Sequence, residues 1–203
     1  GSDEIPHEDI EIDLDIKRID KKLFNCKSVS EVDELISENR DEFNLYLELN
    51  KIPDQADLSG ILYQRVEDSS VNEFYDQCLD IYNDFSPWEQ EIKHLFQHVK
   101  YYYPNFEAPQ ISTFFTAFLT PVDIVVRPSH ITIGLDYFIG PEAMYVQKDP
   151  QYILNRYRPD NLVPMFIGLG VSNFYNETNH EDLSLVAEMI YFGKAHFFLS
   201  KMV

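Results

Sequence analysis

The feature of this sequence that most restricts its fold is a change of hydrophobic period at Pro104. A helix pattern begins at Ser86-Pro87-Trp88-Glu89, where Ser suits the N-cap, Pro the first helical position and Glu a capping box. The pattern runs to Tyr103 and must end at the proline. Three short segments rich in β-branched and aromatic residues follow: 110–118, 122–126 and 131–135. We therefore predict a long helix and then three strands, the last two forming a hairpin.

The rest of the chain adds one strand and several helices. Apolar residues alternate with acidic ones over 10–16, which predicts a half-buried strand with an acidic outer face. A short helical stretch is expected to end at Pro53, with a loop over 54–60. Further helices are predicted to begin at capping residues: Ser28, Ser70, Asp149, Asp160 and Thr178. This order predicts a helix-rich α+β fold in which a small mixed sheet packs against several helices.

The chain is strongly acidic, with 16 basic and 35 acidic residues and a formal net charge of −19. A field of that sign repels nucleic-acid phosphates and anionic lipid head groups, so neither is an expected partner. Apolar residues make up 44% of the 203 residues, which is enough for a sizeable core in one domain. We assign 1–8 to a linker and 9–203 to a single domain.

The two cysteines and the chain ends indicate the compartment only weakly. Cys26 and Cys78 lie in apolar-periodic stretches, as small buried hydrophobes do. A disulfide between them is the alternative that the sequence does not decide. No apolar run reaches the roughly 18–20 residues that span a bilayer. The opening Gly1-Ser2 fits a sequence begun downstream of a removed leader. The last helix pattern lacks a stop signal, so we expect the natural protein to continue.

A zinc metallopeptidase is the most specific enzyme class to consider, because the element order is similar to that of a zincin with HExxH on a helix after the strands. The segment in that place, 160–175, contains no His. His94 and His98 are four residues apart, with Glu91 one turn earlier, so one helix face could offer three ligands. We predict instead that both histidines flank the apolar stripe of their helix at a solvated edge, and no cofactor is expected.

Other local patterns also have simpler interpretations. The ladder Asp9, Glu11, Asp13 and Asp15 lacks the Gly and the distal Glu of an EF-hand, which favours a charged strand face over a calcium site. Ser129-His130 lacks a nucleophile elbow and is predicted to form a turn. The sequon at Asn176 is expected to serve as a helix start, because its Thr178 suits an N-cap.

Two further functions depend on residues that only the fold can bring together. A hydrolase acting on peptides or glycans would need converging carboxylates, for which the candidates are Asp136, Glu142 and Glu188. Surface ion pairs or helix caps are the alternative for each of them. A ligand- or glycan-binding groove would place Tyr137 and Tyr145 side by side. The candidate cleft residues are therefore these two tyrosines with Asp136 and Glu188.

Several stretches together resemble a known family. They are 16–20 (IKRID), 43–48 (FNLYLE), 79–89 ending in SPWE, 96–104 ending in YYYP, 131–141 (ITIGLDYFIGP) and 188–194 (EMIYFGK). In order and spacing they are similar to the gliding motility lipoprotein GldB family, from about residue 8 onward. The Ile-Gly-Leu-Asp-Tyr and Met-Ile-Tyr-x-Gly-Lys segments are the most specific.

The resemblance implies an envelope lipoprotein that is anchored through a Cys ahead of Ser2 and faces the periplasm. It implies a degenerate zincin-like fold without HExxH, and protein partners in the motility and secretion machinery. Family members commonly carry Glu before the final Gly-Lys, where a zincin has its third ligand, but this chain has Phe192 there. We therefore expect a non-catalytic domain that binds envelope proteins, with an atypical hydrolase or a periplasmic ligand-binding module as the alternatives.

Overall fold

A four-stranded mixed sheet lies at the centre of the computed structural model, which describes residues 10–49, 57–175 and 185–202. The strands are β1 (Ile16–Arg18), β2 (Gln110–Phe114), β3 (Ile124–Val126) and β4 (His130–Gly134). Their spatial order is β1-β2-β4-β3. β2 pairs in parallel with β1 and with β4, whereas β3 and β4 form the predicted antiparallel hairpin. The helix-rich α+β prediction is confirmed.

The long parallel connection between β1 and β2 is helical, as a parallel crossover requires. It contains α1 (Ile19–Asn25), α2 (Val29–Glu38), α3 (Arg40–Leu47), α4 (Leu58–Glu67), α5 (Ser69–Tyr82) and α6 (Ser86–Tyr102). α6 ends just before Pro104 as predicted. The prediction of a loop over 54–60 is wrong from Leu58 onward, where α4 begins. Ser59 and Gly60 are helical despite their low helix propensity.

The structure corrects some predicted helix starts while confirming the capping at Ser28. The Ser28 hydroxyl accepts the Glu31 N–H at 3.2 Å, and Glu31 accepts the Lys27 N–H at 2.8 Å. α5 is capped by Asp68 rather than Ser70, since the Asp68 carboxylate accepts the N–H groups of residues 70 and 71 at 2.8 and 3.1 Å. Likewise Ser86 is the first residue of α6, and the Asp84 carboxylate accepts its N–H at 3.0 Å.

Short and irregular helices follow the sheet. A 3₁₀ turn (Leu135–Phe138) continues β4, and α7 (Gln151–Leu154) follows a long loop. The predicted helix at Asp160 is split into a 3₁₀ turn (Pro159–Asn161), a π-helical turn (Leu162–Ile167) and α8 (Gly168–Ser172). The last helix, α9, covers Leu185–Met202. Its predicted start at Thr178 and the sequon at Asn176 lie outside the described residues.

Three of the four strands were predicted longer than they are, and β4 has its predicted length with a shift of one residue. β1 begins at Ile16, so the strand expected over 10–16 is wrong, although Ile12 is buried and Glu11, Asp13 and Asp15 are exposed as the alternation indicated. β2 ends at Phe114 because the backbone turns into the left-handed region at Ala117 and Phe118, with φ of 50° and 58°. Extended pairing cannot continue through such a turn.

Helices cover both faces of the sheet. On one face α5, α6 and the 162–171 segment bury Ile111, Ile131 and Ile133, and on the other α1–α4 pack around Phe114. Cys26 and Cys78 are free and buried, as predicted for small hydrophobes. Within the described ranges, no helix combines the length and apolarity needed to cross a membrane.

Candidate functional site

Buried polar residues follow the carboxyl ends of the three parallel strands. β1 is followed by Asp20, β2 by Thr116, and β4 by Asp136, all at most 2% exposed. Parallel strands end at the same edge of a sheet, and in open α/β sheets this edge is the usual ligand site.

Asp20 is fully used by structural contacts. The Arg18 guanidinium donates to both carboxylate oxygens of Asp20, at 2.9 and 2.7 Å. This bidentate geometry is the strong form of an Arg–carboxylate pair. The hydroxyls of Tyr75, at 3.1 Å, and of Thr113 donate to the same carboxylate. Arg18 also donates to the Tyr82 carbonyl at 2.7 Å. This network ties β1 to α5 and β2, and it leaves Asp20 no role toward a ligand.

Asp136 differs because its carboxylate is only half satisfied. One oxygen accepts the Phe118 N–H at 2.8 Å, while Oδ1 receives no hydrogen bond from any described residue. Burial raises the pKa of Asp136 to about 6, against the lowering effect of backbone N–H groups and of the Arg65 charge. Asp136 is therefore a buried acid whose charge is costly near neutral pH.

The turn that Asp136 holds is strained. Ala117 and Phe118 both have positive φ, which costs an L-residue about 1–2 kcal/mol each. The Asp136 carboxylate and the Arg65 guanidinium, which donates to the Ala117 carbonyl at 2.9 Å, fix this conformation. Such strain often accompanies function. The Tyr46 hydroxyl near this turn also lacks a hydrogen-bond partner within the described ranges, and burial raises its pKa well above the ordinary value.

The carboxylates proposed for a hydrolase do not converge where the structure describes them. Asp136 is inside the fold, whereas the Glu142 side chain is 78% exposed and contacts Arg158 at 3.5 Å. The Glu188 side chain lies outside the described part. Asp136 and Glu142 therefore cannot act as a catalytic pair in this conformation.

The two tyrosines of the predicted groove are not side by side. Tyr137 is buried, and its hydroxyl donates to the Thr120 carbonyl at 2.6 Å, whereas Tyr145 is 47% exposed. Phe118 contacts the Tyr137 ring at 5.0 Å, and Phe74 contacts both Phe118 and Tyr145, at 5.6 and 5.3 Å. These aromatic rings therefore pack against one another in the core, and only the Tyr145 end of the series is exposed to solvent.

The histidine pair on α6 is only partly at a solvated edge. His94 is exposed, but His98 is 7% exposed, so the prediction of two solvated histidines is wrong for His98. Its Nδ1 lies 3.0 Å from the His94 carbonyl, and the two rings meet edge to face at 4.4 Å. Glu91, the third predicted ligand, is exposed. The described residues contain no group of three or more potential ligands.

The segment expected to correspond to a zincin helix is apolar and closely packed. Leu162, Val163 and Ile167 of the π-helical turn are buried. Gly170 in α8 lies against β3, where a Cβ atom would come within 2.5 Å of Val126 Cγ2. The Phe192 side chain is outside the described part, so its assignment as a lost ligand position stays a prediction.

Ser129 and His130 lie at the opposite, amino-terminal edge of the sheet. The His130 Nδ1 is 3.0 Å from the Ser129 hydroxyl, and the adjoining Arg127 N–H donates to the His130 carbonyl at 2.8 Å. Ser129 also lines a surface groove of about 560 Å³ with Gln110 and Tyr175. These contacts form the turn between β3 and β4.

An exposed apolar patch is the feature that sequence reasoning missed. Met144, Tyr145 and Val146 are 49%, 47% and 39% exposed in the loop after the 3₁₀ turn, and Tyr152 in α7 is 72% exposed. The loop is fixed to α5, since the Met144 N–H donates to Gln77 Oε1 at 2.8 Å. The signal was the apolar run Ala-Met-Tyr-Val between Pro141 and Pro150, which follows neither a helical nor a strand period.

Fold and site thus define a helix-rich α+β domain with a buried, strained sheet edge and an exposed apolar loop. The chain belongs to the family described as gliding motility protein GldB, which matches residues 2–203. This membership associates it with gliding motility and, by the family name, with lipoproteins of the cell envelope. No curated protein and no solved structure shows significant similarity to it.

Proposed function

We propose that this chain is a non-catalytic domain of an envelope lipoprotein that faces the periplasm and binds other proteins of the gliding and secretion machinery. Family membership supports the cellular context. The observation that carries the binding role is the patch of Met144, Tyr145 and Val146, which exposes apolar side chains to solvent on a loop bonded to α5. Exposed apolar residues of this kind mark protein interaction sites.

The candidate catalytic groups support the same proposal. Of the described hydrolase candidates, Asp136 lies inside the fold, where burial raises its pKa, and Glu142 lies exposed on the surface. A glycosidase or metal-free hydrolase needs a second positioned group that reaches the substrate. A binding role requires neither.

Metal analysis tests the non-catalytic part of the proposal. We expect the purified chain, after dialysis against a chelator and back into buffer with zinc, to retain much less than one zinc per molecule. One tightly held zinc per chain, with loss of that zinc in His98→Phe, would overturn the proposal. Peptidase and glycosidase assays on the wild type and on Asp136→Asn give the second measurement, and activity that disappears in the variant would favour the hydrolase.

Affinity capture tests the binding part. The full-length lipoprotein, cross-linked in its own envelope and purified under denaturing conditions, should carry defined motility or secretion proteins identified by mass spectrometry. A cross-linked sample without any envelope protein above the level of an unrelated lipoprotein would contradict the proposed function.

A further inference from the structure

We propose that the apolar patch of Met144, Tyr145 and Val146 forms one docking surface with the acidic row beside it on α5, which consists of Glu73, Asp76 and Asp80. This surface would bind a basic amphipathic segment of a partner protein. The inference rests on the proposed function and specifies the chemistry of the partner. Four observations support it: the rigidity of the patch, its position, the uncompensated charge beside it and the distribution of charge in the chain.

The patch is held in place before anything binds. The Met144 N–H donates to Gln77 Oε1 at 2.8 Å, and the Tyr145 ring meets the Phe74 ring edge to face at 5.3 Å. Both anchoring residues belong to α5. A loop that is already fixed loses little conformational entropy on binding, which favours its use as a docking surface.

The anchoring residue of the loop lies within a row of acidic residues. Glu73, Gln77 and Asp80 are spaced i, i+4 and i+7, which places them on one face of α5. Asp76 lies on the adjoining side of the same exposed face. Because Met144 is bonded to Gln77, the loop meets α5 on the face that has these carboxylates.

The acidic row forms no ion pair among the described residues. Glu73, Asp76 and Asp80 are exposed, and none of the ion pairs found there involves them. Asp76 and Asp80 are an i, i+4 pair of like charges, and Asp80 lies in the last turn of a helix without a basic residue in that turn. Both arrangements destabilise a helix. Their presence beside an apolar patch is explained if a cationic partner neutralises them.

The distribution of charge along the chain favours the same partner. Residues 1–99, which include α5, contain 9 basic and 25 acidic residues, so this half of the chain has most of the negative charge. Such a field raises the association rate of a basic segment and repels a second copy of this chain or an anionic membrane. An amphipathic segment adds apolar anchors for the patch, with Lys or Arg toward α5.

Direct binding to a defined probe tests the inference. The probe is a fluorescein-labelled amphipathic lysine–leucine peptide, with a glutamate–leucine peptide of the same pattern as its counterpart, measured by anisotropy at low and moderate salt. We expect the wild-type chain to bind only the lysine peptide, with affinity that falls as salt rises. The variants Glu73→Gln/Asp76→Asn/Asp80→Asn and Met144→Ser/Val146→Ser should each weaken binding at least about tenfold.

The matched control is Glu34→Gln/Glu38→Gln/Asp41→Asn, which removes three exposed charges from α2 and α3. It should change the affinity by less than about twofold. Equal losses in the control and the α5 variant would mean that the peptide responds only to net charge, and the inference would fail. It would also fail if the wild type does not bind the lysine peptide. Circular dichroism and melting curves verify that each variant is folded.

The envelope experiment separates this inference from the proposed function. If cross-linked partners are retained by the wild type and lost from both surface variants, the inference is supported. If the variants retain them as the wild type does, the partner binds elsewhere and only the inference is overturned. If the wild type captures no envelope protein, the proposed function itself fails, whatever the peptide result.

Discussion

The Asp136 carboxylate accepts the backbone N–H of Phe118 at 2.8 Å and thereby links the turn after β2 to a residue two positions beyond the end of β4. The link joins two neighbouring parallel strands at their carboxyl ends. It holds Ala117 and Phe118 in the left-handed region and confines a carboxylate inside the fold. Strain and burial at this edge have measurable consequences.

Asp136 should make stability depend on pH in a defined direction. Its pKa is raised from 3.8 to about 6 in the folded state, so the folded chain holds this proton more strongly than the unfolded chain does. The destabilisation is absent below pH 4, grows to about 3 kcal/mol as the pH approaches 6, and stays constant above. In urea denaturation, the free energy of unfolding of Asp136→Asn relative to that of the wild type should therefore rise by about 3 kcal/mol between pH 4 and pH 7. A difference that does not vary with pH would contradict this.

Breaking the Arg18–Asp20 pair should destabilise the domain strongly. Asp20→Ala leaves a largely buried guanidinium without its carboxylate, and removing one partner of a buried ion pair costs about 3–5 kcal/mol. The measurement is the free energy of unfolding in urea at pH 7. Glu142→Gln is the control, because its contact with Arg158 is solvent-exposed and should contribute less than about 1 kcal/mol. Similar losses in both variants would refute the structural role assigned to Asp20.

Two glycines should respond to alanine in opposite directions. At Gly170 a Cβ atom would lie 2.5 Å from Val126 Cγ2, so Gly170→Ala should destabilise the domain by about 1–3 kcal/mol. At Gly193 in α9 no atom of the described residues outside the helix's own backbone lies within 4 Å of an added Cβ, and Gly193→Ala should stabilise by up to about 1 kcal/mol through helix propensity. Melting temperatures of the two variants check the pair. A stabilising Gly170→Ala would show that α8 does not pack closely on β3.

Relieving the backbone strain should stabilise the turn after β2. Ala117→Gly removes a Cβ penalty of about 1–2 kcal/mol and adds an unfolded-state entropy cost of about 0.4–1 kcal/mol, for a net gain of up to about 1.5 kcal/mol. Ala143→Gly is the control, since Ala143 is not among the positive-φ residues and should only lose stability. Chemical denaturation of both variants gives the comparison. Equal destabilisation by the two changes would contradict a strained Ala117.

Local signals in the sequence predicted the elements better than their ends. The capping pattern at Ser28 and the stop at Pro104 were correct because each depends on backbone groups within a few residues. Asp68 was missed as an N-cap because Asp68, Ser69 and Ser70 are all suitable, and only the tertiary position of α5 selects one of them. α4 was missed because packing of Leu62 outweighs the low helix propensity of Gly60.

The candidate sites could not be predicted in the same way. His98 was expected at a solvated edge from the stripe on its own helix, but burial depends on what packs against that helix from other elements. The separation of Asp136 from Glu142 and of Tyr137 from Tyr145 also depends on how the 3₁₀ turn and the following loop are placed. Neither relation has a sequence period that could have indicated it.

The sequence by itself determined the order of most helices and strands, the acidic outer face before β1 and the family of the chain, because these follow from periodicity, capping and matched segments. Tertiary structure alone decided that Asp136 meets Phe118, 18 residues away, and that Met144 is bonded to Gln77, 67 residues away. The physical reason is the distance along the chain over which each kind of interaction acts. Helix caps and side-chain periods act over about four residues, whereas the burial of a charge or the exposure of an apolar side chain depends on segments that are distant in the chain.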